Sequence, residues 1–261
     1  MCANCREERL GNDLREGFAW VGDRLRKVAY TVDSGEAITE GCIVLGTEQE
    51  VEEISRYVDR THDVLGSAIA NPKYRWPNAT VAYDIDPALP ARDRVVEAIE
   101  HYRSRTAAVR FVERTTANRA FYPNWVVFRP GDRGAGCTSR VGCVGGRQFV
   151  TLEDACGTGN VIHEIGHALG LFHEQSRSDR DSFVRIHIDR VRPAARHNFG
   201  NALNAGIDLG PYDYGSIMHY PADAFSQDGS PTIEPLESGA TIGQRDRLSE
   251  GDILSLQTLY G

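Results

Sequence analysis

Hydrophobic positions along the chain fall into short, separated groups whose spacing changes from segment to segment. Cys42-Ile43-Val44-Leu45 is a strand-sized apolar run. Thr47-Glu48-Gln49-Glu50 has the form of a capping box, and Val51, Ile54, Tyr57 and Val58 follow at helical spacing, which predicts a helix over 47–64. Gly66 to Pro77 gathers turn formers (Gly66, Ser67, Asn71, Pro72, Pro77) and reads as a boundary or linker. Ala79 to Ile85 then predicts a strand. Arg92 to Val109 predicts a helix with Val95, Val96, Ile99 and Tyr102 on one side. Residues 110–112, 126–128 and 148–152 read as further strands. Beyond about residue 195 the chain is rich in Gly, Asn, Asp and Pro, with little periodicity until Ser249-Glu250-Gly251-Asp252 opens a short helix carrying Ile253, Leu254, Leu256 and Leu259. The pattern predicts an α+β fold, a mixed sheet with helices behind it. No apolar run approaches the ~18 residues of a membrane span.

Composition fits that picture. The 261 residues are 41% hydrophobic and 25% charged, which excludes a disordered tail, a collagen and a coiled coil. The net charge of −8 is unevenly placed: residues 1–66 hold 8 Lys/Arg against 14 Asp/Glu, whereas residues 67–261 hold 21 against 23. Two segments with different jobs are expected. The acidic balance argues against nucleic acid as a partner, because phosphate neutralisation needs a basic surface. Met1 is followed by polar residues with no apolar signal core, so any secretory signal is expected to be absent from this chain. Cys2-Ala-Asn-Cys5 has no second such pair downstream and reads as a terminal scrap rather than a zinc knuckle or redox pair.

Residues 161–181 carry the chemistry. His163 and His167 are four apart, so on a helix both imidazoles reach one ion, and Glu164 lies between them in sequence. Gly170 lets the helix stop, and His173 can supply a third nitrogen. Three imidazoles leave an open position for water, the pattern of a catalytic zinc site. Given the short H-E-x-x-H match, requiring Gly170 and His173 as well multiplies the chance probability by roughly 0.003 from this chain's own composition. His62, His101, His187 and His197 read as ordinary hydrogen-bonded histidines, and His219 as structural.

The full run H-E-x-x-H-x-x-G-x-x-H is the metzincin signature. With Glu174, Arg177 and Asp179-Arg180-Asp181 after it, and Ser216-Ile217-Met218-His219-Tyr220 downstream, residues 67–261 resemble the astacin family of zinc endopeptidases, with the chain as the proform of a bacterial-type member. Tyr74 and Trp76, Cys137-Thr138-Ser139 and Ile242-Gly243-Gln244-Arg245 extend the likeness. The resemblance implies a metzincin-like catalytic domain with a mixed twisted sheet, an active-site helix and an irregular C-terminal half, preceded by a small inhibitory prosegment over 1–66. It implies Zn2+ on His163, His167 and His173, with Glu164 as general base. Tyr220 would be an additional zinc ligand in the free enzyme that swings away and stabilises the oxyanion. Met218 would form a floor beneath the metal, and Glu174 would receive the mature N-terminus. Cys137 and Cys156 match a family disulfide; Cys143 is extra and could compete with either, stay reduced, or pair with an N-terminal cysteine.

Family prosegments carry F-x-G-D, whose Asp blocks the zinc. Here the matching stretch is Thr39-Glu40-Gly41-Cys42, so the aspartate latch is replaced by Cys42. A thiolate is a strong zinc ligand, and Cys42 is expected to be the latch, as in the cysteine switch of other metzincins. The alternative is a small buried apolar residue leading into the strand Ile43–Leu45. Counting back from Tyr74 and Trp76 puts the activating cleavage near Gly66–Ala68. Expected partners are protein or peptide substrates and the activating protease, acting on a secreted monomer. Arg245 is a candidate for an acidic substrate side chain, or else a solvated surface Arg. Competing readings are a catalytically silent zinc-stabilised binding module, opposed by the presence of Glu164 and Tyr220, and an intracellular metalloprotein with reduced thiols.

Overall fold

The computed structural model describes residues 14–21, 24–58, 72–134, 136–200 and 208–261. The activation point near Gly66–Ala68, the end of the predicted 47–64 helix and Cys2 and Cys5 lie outside the described residues. Nine strands form one mixed sheet in the order β1-β2-β3-β4-β8-β9-β7-β5-β6. The first four come from the N-terminal segment: β1 (Arg15–Val21), β2 (Arg24–Asp33), β3 (Glu36–Thr39) and β4 (Ile43–Thr47). They form an antiparallel meander, turned at Ser34-Gly35 by two positive φ values of 50° and 79°. The other strands are β5 (Thr80–Ile85), β6 (Arg110–Glu113), β7 (Trp125–Pro130), β8 (Cys137–Ser139) and β9 (Arg147–Leu152). β4 joins them by lying parallel to β8, with Ile43 opposite Ser139. The N-terminal segment is therefore not an appendage but an extension of the sheet.

Helix α1 (Glu48–Val58) starts at the predicted capping box: Glu50 N donates to Thr47 Oγ1 at 3.1 Å, and Thr47 N to Glu50 Oε2 at 2.7 Å. It lies on β1 and β4, closing a small core of Ala19, Val28, Tyr30, Ile43 and Val51. The main core lies between the sheet and helices α2 (Asp93–Arg105), α3 (Thr158–Ala168) and α4 (Glu250–Tyr260). Helix α2 ends four residues before the predicted Val109, because Thr106 is extended and its Oγ1 accepts Ala108 N, an alternative to the next helical turn. A third cluster, around Phe199, Tyr220 and Phe225, packs the C-terminal half, whose elements among the described residues are the short pair β10 (Val184–Ile186) and β11 (Ile233–Pro235), three short 3-10 helices and α4. No helix among the described residues is long and apolar enough to cross a membrane.

Candidate metal centre

Helix α3 carries His163, Glu164 and His167 on buried turns, and Gly170 (φ 100°) ends it so that the chain folds back to present His173. Each ring is oriented through its far nitrogen. His163 Nδ1 lies 2.9 Å from the Ile217 carbonyl and His167 Nδ1 2.8 Å from the Leu171 carbonyl. Carbonyl oxygens only accept, so both Nδ1 atoms are protonated and both Nε2 atoms present lone pairs inward. His173 Nδ1 lies 2.7 Å from Glu40 Oε2, and its Nε2 likewise faces inward. Burial holds all three imidazoles well below their usual titration range, His167 at about 3, so they are neutral ligands.

Cys42 comes from the opposite side. Its Sγ lies 3.8, 3.4 and 3.4 Å from Nε2 of His163, His167 and His173, and the His167 and His173 nitrogens are 3.2 Å apart. A tetrahedral zinc with bonds of ~2.05 Å to nitrogen and ~2.3 Å to sulfur requires edges of about 3.3 Å between nitrogens and about 3.6 Å from nitrogen to sulfur. The three sulfur–nitrogen distances and the His167–His173 distance lie within a few tenths of an ångström of those edges, and all four atoms lie within 4.8 Å of one another. Two acceptor nitrogens facing each other at 3.2 Å in a dry site repel unless a cation lies between them, so the donor set fits zinc. Without the ion, burial first and the Glu164 carboxylate second push the Cys42 thiol up; a dication inverts that balance.

Cys42 sits at the tip of the β3–β4 hairpin, Glu40-Gly41-Cys42. Glu40 and Gly41 both have left-handed backbones (φ 47° and 70°), and a Cβ on Gly41 would meet the Phe225 ring at 2.9 Å. Glu40 was not singled out by the sequence. It is buried, its carboxylate faces His173, and its carbonyl accepts the Tyr220 hydroxyl at 2.5 Å. Tyr220 thus points at the hairpin tip, with its ring on His173 and Phe225. No local signal marks Glu40, because its partners lie 133 and 180 residues away.

The remaining predicted residues fall around this centre. Glu164 is buried beside Cys42. Met218 is buried against α3, its sulfur 2.7 Å from where a Cβ on Gly166 would stand. Asp252 of α4 braces that turn: its carboxylate accepts Ser216 Oγ at 2.6 Å and Ile217 N at 3.0 Å, and the Ile217 carbonyl in turn holds His163. Glu174 accepts Asp213 N at 2.8 Å and pairs with Arg177, while burial pushes its carboxyl up to about 8. Arg245 is half-buried, not a solvated surface Arg: its Nη1 donates to the carbonyls of His219 and Gln244, and its charge is felt at all three histidines. Cys137 and Cys156 form a disulfide, which leaves Cys143 a buried thiol. His219 is held at both nitrogens by Tyr212 and the Tyr220 carbonyl, a structural role.

Comparison with known proteins agrees with the site. The sequence profile of the Astacin peptidase family matches residues 68–261. The chain is 40% identical over 202 residues to zinc metalloproteinase nas-13 of Caenorhabditis elegans, covering 76% of this chain and 43% of that protein. It is 38% identical over 204 residues to astacin-like metalloprotease toxin 1 of Loxosceles intermedia, covering 74% of each. Among solved structures, high choriolytic enzyme 1, a hatching enzyme zinc-protease from the medaka Oryzias latipes, superposes with a TM-score of 0.64 at 32% identity, over 74% of this chain and 98% of that one. The chain spans less than half the length of the nematode relative.

Proposed function

Because the chain belongs to the astacin family, we propose that it is a zinc-dependent endopeptidase held latent by its own N-terminal segment, with residues 1–66 as prosegment and 67–261 as catalytic part. The observation that carries this reading is the Cys42 thiol, which completes a tetrahedron with His163, His167 and His173 where a catalytic centre keeps an open corner. The Glu40 contacts support it, because the same hairpin tip also engages His173 and the Tyr220 hydroxyl.

His163, His167 and His173 would hold zinc, which would supply a water of lowered pKa and Lewis-acid polarisation of the scissile carbonyl. Glu164 takes the proton of the attacking water and passes it to the leaving amine nitrogen as the C–N bond breaks. Tyr220, released from the Glu40 carbonyl, turns its hydroxyl to the oxygen on which charge develops. Met218 fills the space under α3, keeping water from the far side of the histidines. An activating protease cuts near Gly66–Ala68, and the new ammonium pairs with the buried Glu174, a contact that is strong only out of water. Arg245 adds positive charge for an acidic residue next to the scissile bond. The disulfide favours an oxidising, secreted setting, and the enzyme acts as a monomer on proteins or peptides.

The test is casein hydrolysis by a trypsin-nicked sample, with and without a zinc chelator, beside Glu164→Ala. Chelator-sensitive hydrolysis that Glu164→Ala abolishes is expected. A nicked, zinc-loaded wild type that leaves casein intact overturns the reading in favour of a silent binding module.

A further inference from the structure

The contact between the N-terminal segment and the loop after β8 has a shape of its own. β4 leaves Cys42 alongside β8, with Ser139 N donating to the Cys42 carbonyl at 3.1 Å. Immediately beyond, Arg140, Val141 and Val144 meet Tyr74 and Phe172 around a cavity of about 280 Å³ whose opposite wall is the N-terminal segment. Val141 and Phe172 pack on the small core of that segment. Phe172 directly precedes the ligand His173, so this apolar floor adjoins the metal centre. At its rim Arg140 Nη2 faces Glu50 Oε2 of the segment at 3.5 Å, and the Thr47 amide fixes that carboxylate.

The catalytic side of this contact is rigid. Gly142 N donates to the His167 carbonyl at 2.9 Å, Cys143 N to the Tyr74 carbonyl at 2.8 Å, and Gln148 Nε2 to the Gly142 carbonyl at 2.9 Å. A surface held this way keeps its shape when its cover leaves. We propose that Arg140, with the floor of Val141, Val144, Tyr74 and Phe172, is a substrate subsite for an apolar stretch bearing an acidic side chain, which the acidic N-terminal segment occupies in the latent chain. The inference rests on the latent-protease reading above. Its support is charge complementarity: the segment that covers the floor carries 14 Asp/Glu against 8 Lys/Arg and sets one of those carboxylates against the one Arg of the floor. A peptide strand added to β8 in place of β4 runs its outer side chains toward Arg140, which directly follows Ser139 at the end of β8.

The test uses the nicked chain and fluorogenic peptides in which Glu or Lys is scanned through the outer positions on both flanks of the scissile bond. A partly exposed pair of this kind changes kcat/KM by about fivefold. Wild type should favour Glu over Lys by about that factor at an outer position on one flank only. Arg140→Gln should bring the ratio to parity, Arg140→Glu should invert it, and Arg140→Lys should keep part of it. The ratio within each variant cancels any general loss of activity. A Glu preference that survives Arg140→Gln, or no such preference in wild type, overturns the subsite. Wild type that cleaves no peptide of the series overturns the protease reading and the subsite with it.

Discussion

Replacing Asp252 by Ala tests how the fold holds the metal site from behind. The side chain is buried at the third position of α4, and its two oxygens accept three donors: Ser216 Oγ, Ile217 N and Ser249 N. Its loss strands the buried Ile217 amide, worth about 1–3 kcal/mol, and removes half of the α4 capping box, worth about 1 kcal/mol. Relief of the desolvated carboxylate offsets part of this, leaving about 2 kcal/mol. In a chain of this size each kcal/mol moves Tm by about 2–4 °C, so the variant should melt roughly 4–8 °C lower. The Ile217 carbonyl also orients His163, so zinc affinity should fall by about tenfold. Differential scanning calorimetry and a competitive chelator titration read the two effects. A variant melting within 2 °C of wild type with unchanged zinc affinity refutes the bracing role of this network.

The same carboxyl predicts a pH effect: burial outweighs its hydrogen bonds and holds its pKa above the ordinary 3.8, so its stabilisation is complete below that value and is lost as pH rises through the raised one. The isosteric Asp252→Asn should flatten that fall, read as urea midpoints across acid to neutral pH; an unchanged slope contradicts it. Cys42→Ala should make the uncut chain leak: structural zinc sites hold about 10–16 kcal/mol over four ligands, so one ligand is worth about 3 kcal/mol, or about a hundredfold in the open population. Peptide hydrolysis by the uncut variant, with Cys42→Ala/Glu164→Ala as blank, measures it, and silence equal to wild type sinks the latch. The Cys137–Cys156 bridge spans 19 residues, so replacing both cysteines by Ala should destabilise the chain by about 3 kcal/mol; a denaturation midpoint unmoved by the double substitution refutes that value.

What was legible in the sequence is what is chemically local. His163, Glu164 and His167 share one helix, and Gly170 ends it at φ 100°, so their convergence with His173 follows from spacing alone. Cys42 was legible only through the family motif it alters. The strands β1 to β3 were not legible, and β1 shows why. Its inward residues are Gly17, Ala19 and Val21, while Phe18 is half-buried and Trp20 is 55% exposed, so the apolar alternation runs against the burial. Gly17 is small because Ser55, Val51 and Tyr30 crowd the place a Cβ would take, a tertiary demand. The end of α2 was overrun for a similar reason: Val109 is a core residue on the wrong side of an extended Thr106. Glu40 is invisible to any local rule, since burial of its carboxyl is explained by partners far away in sequence, the His173 ring, Ser176 and Arg180.

The most direct measurement is the absorption spectrum of the intact chain with cobalt(II) in place of zinc. Cys42 on the metal predicts a thiolate-to-cobalt charge-transfer band in the uncut protein, absent from Cys42→Ala and lost on nicking as hydrolysis appears. An uncut wild-type chain that binds one cobalt and shows no such band contradicts the latch.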